Sequence, residues 1–137
     1  MIRKKVYVAF DYDDLGVKQN LVAEAKRPEC PWEFVDKSIS TPIDERWAAE
    51  AERLILTSDF VIVLCGEQTH QAVGVGIEVQ LSQKLGKRYF LLSGTRKGVP
   101  TKPKHARADD RIWTYRWPTV QTLLAGGTPP PNAAIRG

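Results

Sequence analysis

The chain has 137 residues, of which 42% are apolar, and a formal net charge of +4. This length and apolar share predict one domain with its own core, while the scattered charge lacks the aromatic and glycine pattern of RNA-binding sheets. No apolar run approaches the ~20 residues of a membrane span, and no signal-peptide segment opens the chain, so a cytoplasmic protein is expected.

The first part of the chain alternates strand and helix. An apolar run predicts a strand over residues 6–10, and an aspartate-rich break over 11–14 can cap the helix that follows. Residues 15–26 predict that helix, which two prolines end. Residues 32–36 alternate like a strand with one side in solvent.

A second helix begins with a strong start signal. Thr41 can cap it, Pro42 suits the first helical position, and Asp44 completes a spacing like that of a capping box. Apolar residues then recur at helical spacing and predict one buried face, formed by Ile43, Trp47, Ala51, Leu54 and Ile55.

The centre of the chain predicts a buried strand, a loop and a helix. Residues 60–64 are apolar throughout, as in a parallel strand covered on both faces. A loop over 69–76 follows, and then apolar residues repeat every four positions up to Leu85. Gly86 lies where a helix end uses a left-handed residue, and residues 89–92 predict another buried strand.

The last part of the chain is less regular. Residues 94–110 form a long basic segment, residues 112–115 predict a final strand, and Pro118 can open a short helix that runs to Leu124. We expect one domain over residues 1–127 and a Pro-rich flexible tail over 128–137.

Five strands separated by helices predict an α/β fold. Right-handed crossovers make it a three-layer, doubly wound, flavodoxin-like parallel sheet, for which 2-1-3-4-5 is the economical strand order. Cys30 and Cys65 are the only cysteines, and no CxxC spacing occurs, so free thiols in a reducing compartment are expected.

Several doubly wound classes lack their required chemistry here. A phosphoryl-accepting receiver needs an aspartate at the end of strand three, where this chain has Cys65-Gly66. An acidic loop after strand one would repel the phosphate of a flavin. There is no P-loop and no GxGxxG motif, and Gly74-Val-Gly76 is too short to be one.

The remaining candidate residues each have two interpretations. Asp11, Asp13 and Asp14 could hold a metal, but a helix cap with solvated charges is the more ordinary role, and no metal site is assigned. His70 could exchange protons or simply form hydrogen bonds. Trp47 lies on an apolar helix face and predicts core packing. Glu78 is either a first-turn glutamate that favours the helix dipole or a site residue at the ligand-binding edge of the sheet.

Six separated segments resemble the prokaryotic TIR-like family that includes the TIR sensor proteins of Thoeris anti-phage defence. They keep the family's order and approximate spacing over about residues 3–93. The segments are Phe10-Asp-Tyr-Asp-Asp14, Asp36-Lys-Ser38-Ile39, Pro42-Ile-Asp-Glu-Arg-Trp47, Ser58 to His70, Gly76-Ile-Glu78 and Gly86-Lys87. The resemblance implies a TIR fold and, as in the enzymatic members, cleavage of the nicotinamide–ribose bond of NAD, often with cyclisation of the ADP-ribose.

The resemblance also implies roles for individual residues. Glu78 matches the catalytic glutamate of TIR NADases, and the other matched positions line the nucleotide site: Phe10, Asp11, Ser38, Trp47, Thr69 and His70. One departure is the segment before Glu78, where family members often carry aromatic residues. Here it reads Val73-Gly-Val-Gly76-Ile77, which predicts a looser pocket wall that an assembly or partner would order.

The chemistry agrees with these residue types. A carboxylate beside the ribose can stabilise the oxocarbenium character that develops when the glycosidic bond breaks, and nicotinamide leaves without a general acid. NAD would be the substrate, with no cofactor. The partners expected are NAD or a related nucleotide and either a second copy or an activating protein, and neither nucleic acid nor membrane. Two alternatives remain open: a non-enzymatic module that binds a nucleotide or a protein, and a nucleoside or nucleotide N-glycosyl transferase.

Overall fold

A computed structural model describes residues 4–11, 14–27, 30–36, 43–93 and 98–135. The elements follow in strict strand–helix alternation up to the fourth strand: β1 (Lys4–Ala9), α1 (Leu15–Ala25), β2 (Trp32–Asp36), α2 (Glu45–Leu56), β3 (Phe60–Cys65), a 3₁₀ turn (Thr69–Gln71), α3 (Val73–Lys84), β4 (Arg88–Ser93), β5 (Ile112–Trp113), α4 (Trp117–Leu124) and a second 3₁₀ turn (Pro131–Ala133). None of the helices in this part of the chain has the length and apolar character that crossing a membrane requires.

The five strands form one parallel sheet in the order β2-β1-β3-β4-β5, as predicted. Side chains that alternate along a strand enter different layers. Val6 and Val8 face a core shared with α1 and α4, whereas Tyr7 and Ala9 face a core shared with α2 and α3. The helices therefore cover both faces of the sheet, and the three-layer, flavodoxin-like prediction is confirmed.

Helix α2 begins later than its start signal predicted. Asp44 is the N-cap, and its side chain accepts a hydrogen bond from the Trp47 backbone N–H at 3.0 Å. Asp44 thus takes the capping role that was assigned to Thr41, while Thr41 and Pro42 lie outside the described residues. The apolar face is as predicted for Trp47, Ala51 and Ile55, which are buried, whereas Ile43 is 44% exposed.

Helix α3 begins earlier than predicted. Val73–Gly76 was assigned to a loop, but these residues form the first turn of α3. A neighbouring segment packs closely against each of Gly74 and Gly76, and this packing outweighs the low helix propensity of glycine. At the other end of the helix, Gly86 has φ +67°, as the left-handed helix end predicts.

The C-terminal segment departs from the expected flexible tail in its described part. Pro129 is buried, and Ala134 forms an antiparallel bridge with Trp113 of β5. The Ile135 N–H donates to the Ile112 carbonyl at 2.7 Å. Strand β5 is only two residues long, shorter than the predicted 112–115, and this segment covers its open edge, where unpaired backbone groups need partners.

Candidate functional site

The topology singles out one crevice, at the carboxyl ends of β1 and β3. These strands are neighbours, but the chain leaves β1 for α1 on one face and leaves β3 for α3 on the other. Such a reversal of winding opens a crevice where ligands bind in doubly wound sheets. The candidates for function are therefore the side chains around the carboxyl ends of β1 and β3 and around the first turns of α3.

Glu78 lies in the second turn of α3 and is 5% exposed. The Tyr7 hydroxyl, at the fully buried position in β1, donates a hydrogen bond to Glu78 Oε2. The first-turn interpretation of Glu78 was wrong, because α3 starts at Val73 and has no acidic residue in its first turn. A carboxylate enclosed in this way interacts strongly with any charge that develops beside it.

Trp47 packs against α3 at Gly74, one turn before Glu78. Gly74 precedes Glu78 by four residues, so the two share one face of α3. A Cβ added at Gly74 would lie 3.4 Å from Trp47 Cη2 and 3.2 Å from Ile43 Cδ1. The glycine thus lets the indole approach the helix backbone, one turn from Glu78. Trp47 is itself 8% exposed, in agreement with its predicted packing role.

Asp14 is a second buried carboxylate, next to the end of β3. It is 5% exposed and precedes α1, yet its side chain forms no capping hydrogen bond. Its Oδ1 occupies the space that a Cβ at Gly66 would fill, so the carboxylate reaches the end of β3. Sequence reasoning treated Asp14 as a cap or a metal ligand. The signal that could have placed it is the glycine at the end of a central strand.

Burial, and secondly the charge of Asp14, raise the pKa of the Cys65 thiol from its ordinary value of 9.0. The thiol is fully buried at the end of β3, and both cysteines are free. A buried thiol with a raised pKa is a poor nucleophile, because the reactive species is the thiolate. Cys65 is therefore a packing residue of the site.

This shift predicts a pH dependence of stability. Above pH 9.0 the unfolded chain ionises Cys65 while the folded chain keeps the proton. The unfolded state then binds fewer protons, so the free energy of unfolding falls as pH rises, by up to about 1.4 kcal/mol per pH unit. Denaturant unfolding of the wild type and of Cys65→Ala at pH 8 to 11 measures how the free energy of unfolding falls with pH. We expect a shallower decline for Cys65→Ala, and equal declines would contradict the assignment.

Thr69 and His70 hold the loop after β3 in place through hydrogen bonds. The Gly66 N–H donates to Thr69 Oγ1 at 2.7 Å, which closes the turn around the buried threonine. The exposed His70 donates its backbone N–H to Thr101 Oγ1 at 3.0 Å, and its Nδ1 lies 2.9 Å from the same oxygen. Thr101 in turn donates its N–H to the Gly66 carbonyl. The basic segment, in its described part 98–110, is thus attached to the rim of the crevice, which sequence reasoning missed.

Two of the remaining predicted residues, Phe10 and Asp11, are described by the structure, and Phe10 lies on the face of the sheet that is opposite to Tyr7. The Phe10 ring packs in the core with α1 and α4, on the opposite face of the sheet, with Lys18 Nζ 5.4 Å from its centroid. Asp11 is half-buried, and its carbonyl accepts the Asp14 N–H at 2.9 Å. Ser38 lies outside the described residues. Among the described residues, no three His, Cys, Asp or Glu side chains are grouped so as to hold a metal ion.

Two solved structures share this fold over nearly their whole length. A 2-deoxyribosyltransferase from the psychrotolerant bacterium Bacillus psychrosaccharolyticus is 18% identical, with a TM-score of 0.56 over 92% of this chain and 98% of that chain. A prokaryotic SEFIR domain is 15% identical, with a TM-score of 0.52 over 98% of this chain and 99% of that chain. No protein-family model and no curated protein match the chain. At these identities the likeness is one of fold.

Proposed function

We propose that this protein is an enzyme that breaks the C–N glycosidic bond of a ribosyl nucleotide, with NAD as its substrate. The observation that carries the proposal is the buried Tyr7–Glu78 hydrogen bond between β1 and α3, the strand and the helix on either side of the point where the winding of the sheet reverses. A single enclosed carboxylate is the group that this reaction needs, because positive charge develops on the ribose as the bond breaks.

The reaction divides simply among these groups. The bond between C1′ and the nicotinamide nitrogen breaks, the electron pair goes to the nitrogen, and the cationic ring leaves as neutral nicotinamide. Glu78 stabilises the ribosyl cation, and Tyr7 holds the carboxylate in place. Water then adds to C1′ and gives ADP-ribose and a proton, or a nucleophile within the same ADP-ribose closes a ring. The Thoeris resemblance supports use of that product as a signal in prokaryotic anti-phage defence.

A second candidate is transfer of a deoxyribosyl group between two bases. The fold likeness to the 2-deoxyribosyltransferase favours it, since the match covers almost all of that protein. Glu78 would then attack C1′, release the first base, and be displaced by the second base. The same Tyr7 hydroxyl would orient the attacking oxygen. A module that binds a nucleotide or protein without catalysis is the remaining alternative, and Glu78 would then contribute to ligand affinity alone.

One set of incubations separates these functions. The protein is mixed with NAD, or with a 2′-deoxynucleoside and a different free base, and products are separated by chromatography. Release of nicotinamide supports the NAD enzyme, and the peak that accompanies it identifies linear or cyclic ADP-ribose. Appearance of a new deoxynucleoside supports the transferase. If neither reaction occurs while NAD still shifts the melting temperature, the non-enzymatic alternative holds.

Self-association or an activating protein partner stays a proposal that rests on the TIR resemblance. The glycine-rich segment before Glu78 lends it less support than expected, because Val73–Gly76 is helical. If assembly completes the site, the specific activity rises with protein concentration, whereas the specific activity of an independent monomer stays constant. A dilution series with size measured in parallel tests this. Constant activity per molecule in a dilute monomer would rule it out.

A further inference from the structure

Two basic parts of the chain meet at the end of α3 that is remote from the crevice. Lys87 and Arg88 follow the helix, while Arg107 comes from the segment 98–110, some twenty residues later in the chain. They line one cavity of about 350 Å³, together with Gln83, Gly86, Tyr89, Phe90 and Asp110. A cavity of this size is within the range of small-molecule sites. Gln83 lies about 8 Å further along α3 than Glu78, so the cavity is separate from the proposed catalytic site.

The cations are held at the cavity by local structure. Gly86, with φ +67°, ends α3, and the Lys87 N–H donates to the Ser82 carbonyl at 2.9 Å, which fixes where Lys87 leaves the helix. The Arg88 guanidinium lies 5.5 Å from the Phe90 ring centroid, and that of Arg107 lies 6.0 Å from the Tyr89 centroid. Stacking on aromatic rings orients a guanidinium without using its donors.

The acidic group of the cavity is already engaged. The Tyr89 hydroxyl and the Arg107 backbone N–H both donate to Asp110 Oδ2. Gln83 Nε2 donates to Tyr89 Oη at 3.0 Å and to the His105 carbonyl at 2.8 Å, which completes a network between α3, β4 and the segment 98–110. The cavity is therefore lined by three cations and one engaged carboxylate, beside the partial negative charge at the end of α3, and it keeps an excess of positive charge.

We infer that this cavity is a binding site for a phosphate group. Within the described part of the chain, Lys87, Arg88 and Arg107 form no ion pair, so their donors remain available. A phosphate carries up to two negative charges and several acceptor oxygens, and two guanidiniums with an ammonium complement it better than they do a single carboxylate. The shared chemistry is the phosphate itself, either free or at the end of a nucleotide.

Calorimetric titration at a fixed ionic strength of about 0.1 M tests the site, since salt screens exposed charges. The probes are inorganic phosphate, pyrophosphate and AMP, with adenosine as the neutral control. We expect saturable binding of the three phosphates, with Kd below about 10 mM, and none of adenosine at this site. Similar affinities for phosphate and AMP indicate that the phosphate group alone is recognised, whereas tighter binding of AMP indicates a nucleotide.

Matched variants locate the binding. Arg88→Gln and Arg107→Gln each remove one exposed guanidinium, so both variants should fold, and each is expected to weaken phosphate binding at least about tenfold. Arg53→Gln, which removes an exposed cation from α2, is expected to leave the affinity unchanged, as is Glu78→Gln. Absence of saturable binding, or equal affinity in the wild type and both arginine variants, would overturn the inference, whatever the outcome for NAD.

Discussion

Glu78→Gln is expected to lower the rate of glycosidic bond cleavage at least about a hundredfold while it preserves the fold. The amide keeps the size of the side chain, and its oxygen can still accept the Tyr7 hydroxyl hydrogen bond. It lacks the negative charge that stabilises the ribosyl cation, and loss of one such group lowers kcat by about 10²–10³. Rates of nicotinamide or base release, measured with melting temperature on the same samples, test the expectation.

Two further variants sharpen this experiment. Tyr7→Phe removes the hydroxyl that orients Glu78 and keeps the charge, so we expect a smaller loss of kcat than in Glu78→Gln. Glu33→Gln is the matched control, because this glutamate is exposed on β2, and its activity should equal that of the wild type. Substantial activity in a folded Glu78→Gln protein would remove Glu78 from the mechanism.

Trp47→Ala is expected to lower the free energy of unfolding by roughly 3–5 kcal/mol, the range for truncation of a buried tryptophan. The indole is 8% exposed and packs over Gly74, so alanine would leave a cavity between α2 and α3. Denaturant unfolding measures the change. Leu56→Ala on the same helix is the control, since Leu56 is 55% exposed and should change stability by less than about 0.5 kcal/mol.

The same two variants separate the structural and binding roles of Trp47. A tryptophan that only contacts ligand would leave the melting temperature of the free protein unchanged on truncation, and that result would contradict the packing assignment. A stability loss in Trp47→Ala that is no larger than the loss in Leu56→Ala would also contradict the packing assignment. Loss of stability together with a raised KM is expected if the edge of the indole also contacts the substrate.

Periodic patterns determined the architecture without reference to the structure. An uninterrupted apolar run is needed wherever both faces of a strand are covered, as in β3, and a one-sided apolar repeat is needed wherever a helix covers a sheet, as in α2. These requirements are local, so the alternation of strands and helices and the position of Glu78 on the helix after β3 followed from the sequence. The layer number came from the handedness of the crossovers, and the strand order was the economical choice for that alternation. The end of α3 did too, because only glycine readily accepts the φ of Gly86.

Only the tertiary structure decided which distant groups meet. The start of α3 at Val73 depends on close packing against α2 and the segment 98–110, which outweighs the low helix propensity of two glycines. Three features join residues that are far apart in the chain. They are the hydrogen bond from Tyr7 to Glu78, the approach of Asp14 to Gly66, and the cavity shared by Lys87 and Arg107. Periodicity reports how deeply a side chain is buried and on which face. Periodicity does not predict which other side chain is contacted there, because that contact depends on how separate elements pack together.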